Sequence, residues 1–127
     1  MLAGTQESLA PMILEAELER ADPSAPSTAV FRLTGRMTLG MRLREVESKI
    51  TEVANQGFHK LVLDLSAIDF IDSAGLGALM IIYGNMKVRG GQLRIVAPGA
   101  KVLDVLKMTH TDSILAIDPN LEAALAS

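Results

Sequence analysis

One decapeptide concentrates the residues able to do chemistry: Ile68-Asp69-Phe70-Ile71-Asp72-Ser73-Ala74-Gly75-Leu76-Gly77. Ile68, Phe70 and Ile71 read as the end of a strand, Asp72 and Ser73 punctuate, and the apolar spacing of a helix begins at Leu76. This puts a hydroxyl at a helix N-terminus, where free backbone N–H groups and the positive end of the helix dipole favour negative charge. A phosphate carried by Ser73 would be stabilised there, with Asp72 as a like charge beside it. Gly75 and Gly77 leave the first turn without side chains, so another molecule could approach the backbone closely. The same residues admit a plainer role, in which Ser73 or Asp72 simply caps the helix.

Other chemistries fit less well. Asp64, Asp69 and Asp72 lie close in sequence, as an acid–base pair or a magnesium site would require. Strict strand alternation, however, places Asp69 with Ile71 on one face and Asp64 with Ile68 and Phe70 on the other, so the carboxylates need not converge. His59 and His110 have no metal-ligand spacing. Gly75-x-Gly77 and Gly90-Gly91 lack the spacing and the following lysine of a phosphate loop. The mixed charges Arg42, Arg44, Glu45, Glu47, Lys49 and Glu52 read as a solvated helix face with i,i+3 pairs. The expectation is a protein without enzymatic activity, organic cofactor or metal.

Composition narrows the partners. The 127 residues include no cysteine, which excludes disulfides and thiolate chemistry. A net charge of −3 argues against binding nucleic-acid phosphates, and 3% aromatic residues against base stacking. No basic segment leads into a long apolar run at the N-terminus, so no secretory signal is expected. The most apolar segment, Leu76 to Tyr83, falls far short of the roughly 18–20 residues of a membrane span. A cytoplasmic protein that does not insert into membranes is the expectation by elimination. With 49% hydrophobic and 21% charged residues the chain reads as one globular domain over 1–127, with 1–10 as a tail.

The elements that must position the decapeptide follow from periodicity. Met12 to Leu18 and Ala29 to Leu33 read as two strands, joined by a loop over 21–28 that contains Pro23 and Pro26. Leu43, Val46, Ile50 and Val53 form one helical stripe, stopped by Gly57. Leu61 to Leu65 is a strand apolar on both faces. Leu76, Leu79, Met80 and Tyr83 form a second helical stripe, ended by Gly90-Gly91. Leu93, Ile95 and Val96 give a strand, and Val102, Leu103, Val105 and Leu106 a helix. Ser113 to Ile117 reads as a last strand, with Pro119 opening a final helix through Leu121 and Leu125. Such alternation predicts an α/β fold: a mixed, mostly parallel sheet of about five strands, the first antiparallel to the second, with about four helices.

Leu63-Asp64-Leu65 followed by Ile68 to Gly77 resembles the signature of the STAS domain family, and is most similar to bacterial anti-sigma-factor antagonists. Their segment reads Asp-Ser-Ser/Thr-Gly-Leu-Gly; here it is Asp72-Ser73-Ala74-Gly75-Leu76-Gly77. A looser likeness runs from Val30-Phe31-Arg32-Leu33-Thr34-Gly35 to the C-terminus. The resemblance implies that an anti-sigma-factor serine kinase is the partner and phosphorylates Ser73. It implies that binding that kinase releases a sigma factor, and that phosphorylation ends the binding. It also implies a contact surface of Asp72, Ser73, Ala74, Gly75, Leu76, Gly77 and Thr38. Ala74 stands at the second hydroxyl position, leaving Ser73 as the motif's sole hydroxyl. Thr38 stands where antagonists often carry an acidic residue. The other function the resemblance allows is a constitutive STAS subunit of a larger assembly, such as a sensor complex or a lipid ABC transporter.

Overall fold

Strands as apolar as Ala29-Val30-Phe31 and Leu61-Val62-Leu63 must be covered on both faces, and the arrangement of helices does this unequally. The computed structural model describes residues 13–22 and 27–127. Its order is β1 (Glu15–Asp22), β2 (Thr28–Met37), α1 (Met41–Ala54), β3 (Lys60–Ile71), α2 (Ser73–Val88), β4 (Gln92–Val96), α3 (Ala100–Met108), a 3-10 turn (Thr111–Ser113), β5 (Ala116–Asp118) and α4 (Leu121–Ala126). The expected tail over 1–10, the start of the first strand at Met12, and Pro23 and Pro26 of the first loop lie outside the described residues.

The five strands lie side by side in chain order. β1 runs antiparallel to β2, and all later pairs are parallel. Right-handed crossovers that always step in the same direction leave their helices on one face of the sheet. Accordingly Leu43, Val46 and Ile50 of α1, Leu79, Ile82 and Met86 of α2, and Val102 and Leu106 of α3 share one core with Phe31, Leu33, Leu61, Leu63 and Ile95. Among the described residues the opposite face has only α4, whose Ala124, Leu121 and Leu125 pack on Val30, Val62 and Val96. Two buried polar groups fasten this end. Lys60 donates to the carbonyls of Ala124 at 2.9 Å and Ser127 at 2.5 Å. Arg94 holds Asp118 with two bonds of 2.5 and 2.9 Å, pinning the three-residue β5 to β4.

Three expectations need correction. The last strand is not Ser113 to Ile117: residues 111–113 form the 3-10 turn and the strand begins at Ala116, because the Ile114 and Leu115 N–H groups donate back to the Thr111 carbonyl at 3.0 and 2.8 Å. The expected stripe of α2 is centred elsewhere: Leu79 is buried, Leu76, Met80 and Tyr83 are only partly buried against the core, and the fully buried residues are Gly75, Ala78, Leu79, Ile82 and Met86. This helix is apolar nearly all round, so its sequence leaves the buried side ambiguous.

The third correction concerns β3, which runs on for twelve residues. Its pairing with β2 slips twice: Arg32 lies opposite Asp64, Thr34 opposite Ala67, and Arg36 opposite Phe70. Each slip inserts one residue and turns the following side chains over. Ile68 and Ile71 therefore join Leu61, Leu63 and Leu65 in the same core, while Asp69 and Phe70 are exposed. Strict alternation had separated Ile68 from Ile71.

Candidate functional site

The C-terminal end of β3 delivers the motif to the start of α2. Asp72 adopts an extended conformation and caps the helix, its Oδ1 accepting from the Gly75 N–H at 2.9 Å. Its other oxygen, Oδ2, accepts from the Leu39 N–H at 3.0 Å, across to the loop between β2 and α1. Its own N–H donates to the Met37 carbonyl at 3.2 Å. One residue thus ties strand, loop and helix together. Burial is the largest influence on this carboxyl and pushes its pKa up. The N–H groups of Leu39, Gly75, Ala74 and Asp72 itself together outweigh it, so Asp72 titrates below the ordinary value of 3.8.

Because Asp72 is the cap, Ser73 is not needed for capping. Ser73 is the first residue of α2 and is exposed. Ala74 and Leu76 are half-buried and pack against the core. Thr38 is half-buried in the loop that Asp72 holds.

The two glycines differ. Gly77 is open, with nothing within 4 Å of a notional Cβ. Gly75, expected as part of a bare and approachable turn, is instead buried: a Cβ there would lie 2.1 Å from the Met37 carbonyl oxygen and 2.8 Å from Ile71 Cγ1. Its lack of a side chain serves the packing of α2 on β2 and β3, and no partner reaches it from outside.

The carboxylates that sequence alone could group have three separate roles. Asp64 accepts from the Ser66 N–H at 2.9 Å, Asp69 pairs with Arg36 at 3.4 Å, and Asp72 caps α2. Among the described residues no three acidic or histidine side chains are placed to hold a metal ion. His59 and His110 are both exposed.

Two neighbours were missed by sequence reasoning. Leu39, in the loop that Asp72 anchors, and Met41, the first residue of α1, are 76% and 79% exposed, so two large apolar side chains stand in solvent. The available signal was an apolar pair split by Gly40, outside the period of either flanking element.

A model of the STAS domain family matches residues 20–124. The chain belongs to the STAS domain family. This STAS domain is 35% identical over 74 residues to a Thermotoga maritima protein provisionally described as an anti-sigma factor antagonist, a match covering 58% of this chain and 66% of the relative. Its fold matches the crystal structure of an anti-sigma factor antagonist from Mycobacterium paratuberculosis with a TM-score of 0.76 and 27% identity, over 92% of this chain and 95% of that one. The anti-sigma factor antagonist SpoIIAA shares the fold at 20% identity. Its unphosphorylated form gives a TM-score of 0.71, over 86% of this chain and 92% of that one. The phosphorylated form of this Bacillus cell fate determinant gives 0.64, over 86% and 96%. No helix among the described residues is long and apolar enough to cross a membrane.

Two outcomes follow from the geometry. Gly75→Val should cost about 2–3 kcal/mol or more through overpacking against Met37, whereas Gly77→Ala should fold normally and gain up to about 1 kcal/mol of helix propensity. Thermal melts of the two variants check this, and equal melting temperatures would contradict it. For Asp72, whose folded pKa lies below the unfolded one, the capping stability is complete above the unfolded value and is lost as pH falls through the folded one. Asp72→Asn keeps one acceptor oxygen for Gly75 but loses the one that accepts from Leu39, so it should be about 1 kcal/mol less stable than wild type near neutrality and approach it in strong acid. Urea denaturation at stepped pH reads this, and a gap that does not change with pH would refute it.

Proposed function

We propose that this STAS domain is an anti-sigma-factor antagonist, a non-catalytic binding protein whose partner is an anti-sigma-factor serine kinase. In this reading it binds the kinase, thereby releasing a sigma factor, and phosphorylation of Ser73 by the kinase ends the binding. The observation that carries it is Ser73 itself, an exposed hydroxyl at a helix N-terminus whose capping is done by the preceding residue. The family membership and the likeness to anti-sigma factor antagonists support it.

The physical argument is electrostatic. The partner surface is Ser73, the backbone at Gly77, half-buried Asp72, Ala74, Leu76 and Thr38, and the exposed Leu39 and Met41, which supply the apolar anchors a small interface needs. A neutral hydroxyl among them costs a partner little. A phosphate brings about −1.5 to −2 charges at pH 7 next to an ionised Asp72. The helix N-terminus tolerates that charge in the free domain. A partner must desolvate it, and an unmatched buried charge costs several kcal/mol, or roughly two orders of magnitude in affinity. Leu39 sits where its N–H is already held, so the anchors are preorganised and little ordering entropy is lost on binding.

The test is titration calorimetry against an anti-sigma-factor serine kinase recovered with the protein from native lysate. Ser73→Ala should bind like unmodified protein and resist switching. Ser73→Asp should bind at least about 100-fold more weakly while melting near the wild-type temperature. Mass spectrometry of wild type incubated with that kinase and ATP should place the phosphate on Ser73. Undiminished affinity of Ser73→Asp and of phosphorylated protein would leave a constitutive interaction subunit in place of a switch.

A further inference from the structure

α1 and α2 follow parallel strands and pack side by side, both starting at the end of the sheet that carries Ser73. A cleft of about 350 Å³ lies on their outer side, lined by Glu47, Ser48, Thr51, Glu52 and Asn55 from α1 and its C-cap and by Asn85 from α2. The sequence places Glu47 and Glu52 in a face of i,i+3 pairs, but among the described residues α1 forms only one such ion pair, Arg42 with Glu45. Neither Glu47 nor Glu52 has a cation within ion-pair distance there. Lys49 is turned away to the Ala16 carbonyl at 2.7 Å, and Arg89 bridges the far end of the cleft by donating to Asn55 at 2.7 Å. The α2 wall is apolar. Gly77, Ile81, Asn85 and Val88 follow at helical steps on the face that begins with Ser73. Ile81 and Val88 are 52% and 87% exposed, and Gly77 and Gly84 are open. A helix on a protein surface ordinarily turns polar residues to solvent, and this one does not.

We propose that this cleft continues the partner surface and receives a basic amphipathic segment of the kinase, its Lys or Arg side chains at Glu47 and Glu52 and its apolar side chains on Ile81 and Val88. The inference rests on the reading of the domain as an antagonist. Both walls begin inside the surface already assigned to that partner. The α2 face starts at Ser73, and Met41 heads the α1 wall, seven residues and two turns before Ser48. Charge decides between occupants. A second copy docked about a two-fold axis would present the same carboxylates to each other, which like-charge repulsion opposes. A segment with one basic and one apolar face is matched by the acidic wall and the apolar wall together, the usual way a helix is held in a groove. The open glycines let its backbone come close to α2.

The experiment is titration calorimetry of the full chain against the kinase recovered with it from native lysate, at about 0.05 and about 0.5 M salt. Wild type should bind more weakly at the higher salt. Glu47→Gln/Glu52→Gln should bind about tenfold more weakly than wild type at low salt and lose most of that difference at high salt. Ile81→Ser should bind about tenfold more weakly at both. Glu19→Gln/Glu122→Gln removes the same charge from β1 and α4 and should bind like wild type. The proposal is overturned by a glutamine pair at 47 and 52 or an Ile81→Ser variant that binds like wild type, by a control pair that weakens binding as much, or by a wild-type affinity indifferent to salt. If Ser73→Asp weakens binding and the cleft variants do not, the antagonist reading stands and the cleft falls alone; if wild type does not bind the kinase, both fall. Wild type that sediments as a dimer, with Ile81→Ser a monomer, gives the cleft to a second copy and also overturns the proposal.

Discussion

The candidate site of this domain depends on one carboxylate. Asp72 accepts from Gly75 with one oxygen and from Leu39 with the other, while its N–H donates to Met37. An uncapped helix start at this place would leave backbone N–H groups unsatisfied, and Ser73 would be drawn in to satisfy them. With Asp72 in that role, the hydroxyl one residue later is free for other chemistry. The same carboxylate fixes a loop whose Leu39 stands in solvent, just before the exposed Met41 that opens α1. The cost is a partly buried charge, and four N–H groups more than compensate it.

Everything beneath that residue serves to place it. The two slips in β3 let a strand of twelve residues keep Leu61, Leu63, Leu65, Ile68 and Ile71 in one core. Without them Ile68 would turn outward, and the register of Asp72 against Met37 would be lost. Gly75 completes the seat: only a residue with no Cβ lets α2 approach the Met37 carbonyl so closely. On the proposed reading this rigidity matters, since a surface that is already ordered can be switched by charge alone, with no need to move.

How much of this was legible in the sequence depended on how sharply each segment's pattern discriminated. α1 could be read because Leu43, Val46 and Ile50 alternate with charged residues, which marks its buried side. α2 could be recognised as a helix but not oriented, because Leu76, Met80, Ile81 and Tyr83 are as apolar as the residues it buries. The extension of β3 past Leu65 was hidden by Ser66 and Asp69, which interrupt an alternation that the slips restore in space. At the site, Asp72 and Ser73 were both visible as candidate caps, and only the bond to Gly75 assigns the cap to Asp72. Gly75 and Gly77 look alike in sequence. Their difference lies in what faces them, Met37 and Ile71 in one case and open space in the other, and that contact is long-range.

The central claim is that the site is a preformed surface altered by charge at Ser73, with the fold beneath it unchanged. Amide NMR spectra of the unmodified protein and of protein carrying phosphoserine at position 73 test this directly. The account predicts shifts confined to residues 72–77 and the loop at 38–41, with the Leu39 and Gly75 amides as protected from exchange as before. Shifts spreading through β2, β3 and the core, or loss of protection at Leu39 and Gly75, would show that the phosphate reworks the fold and would contradict it.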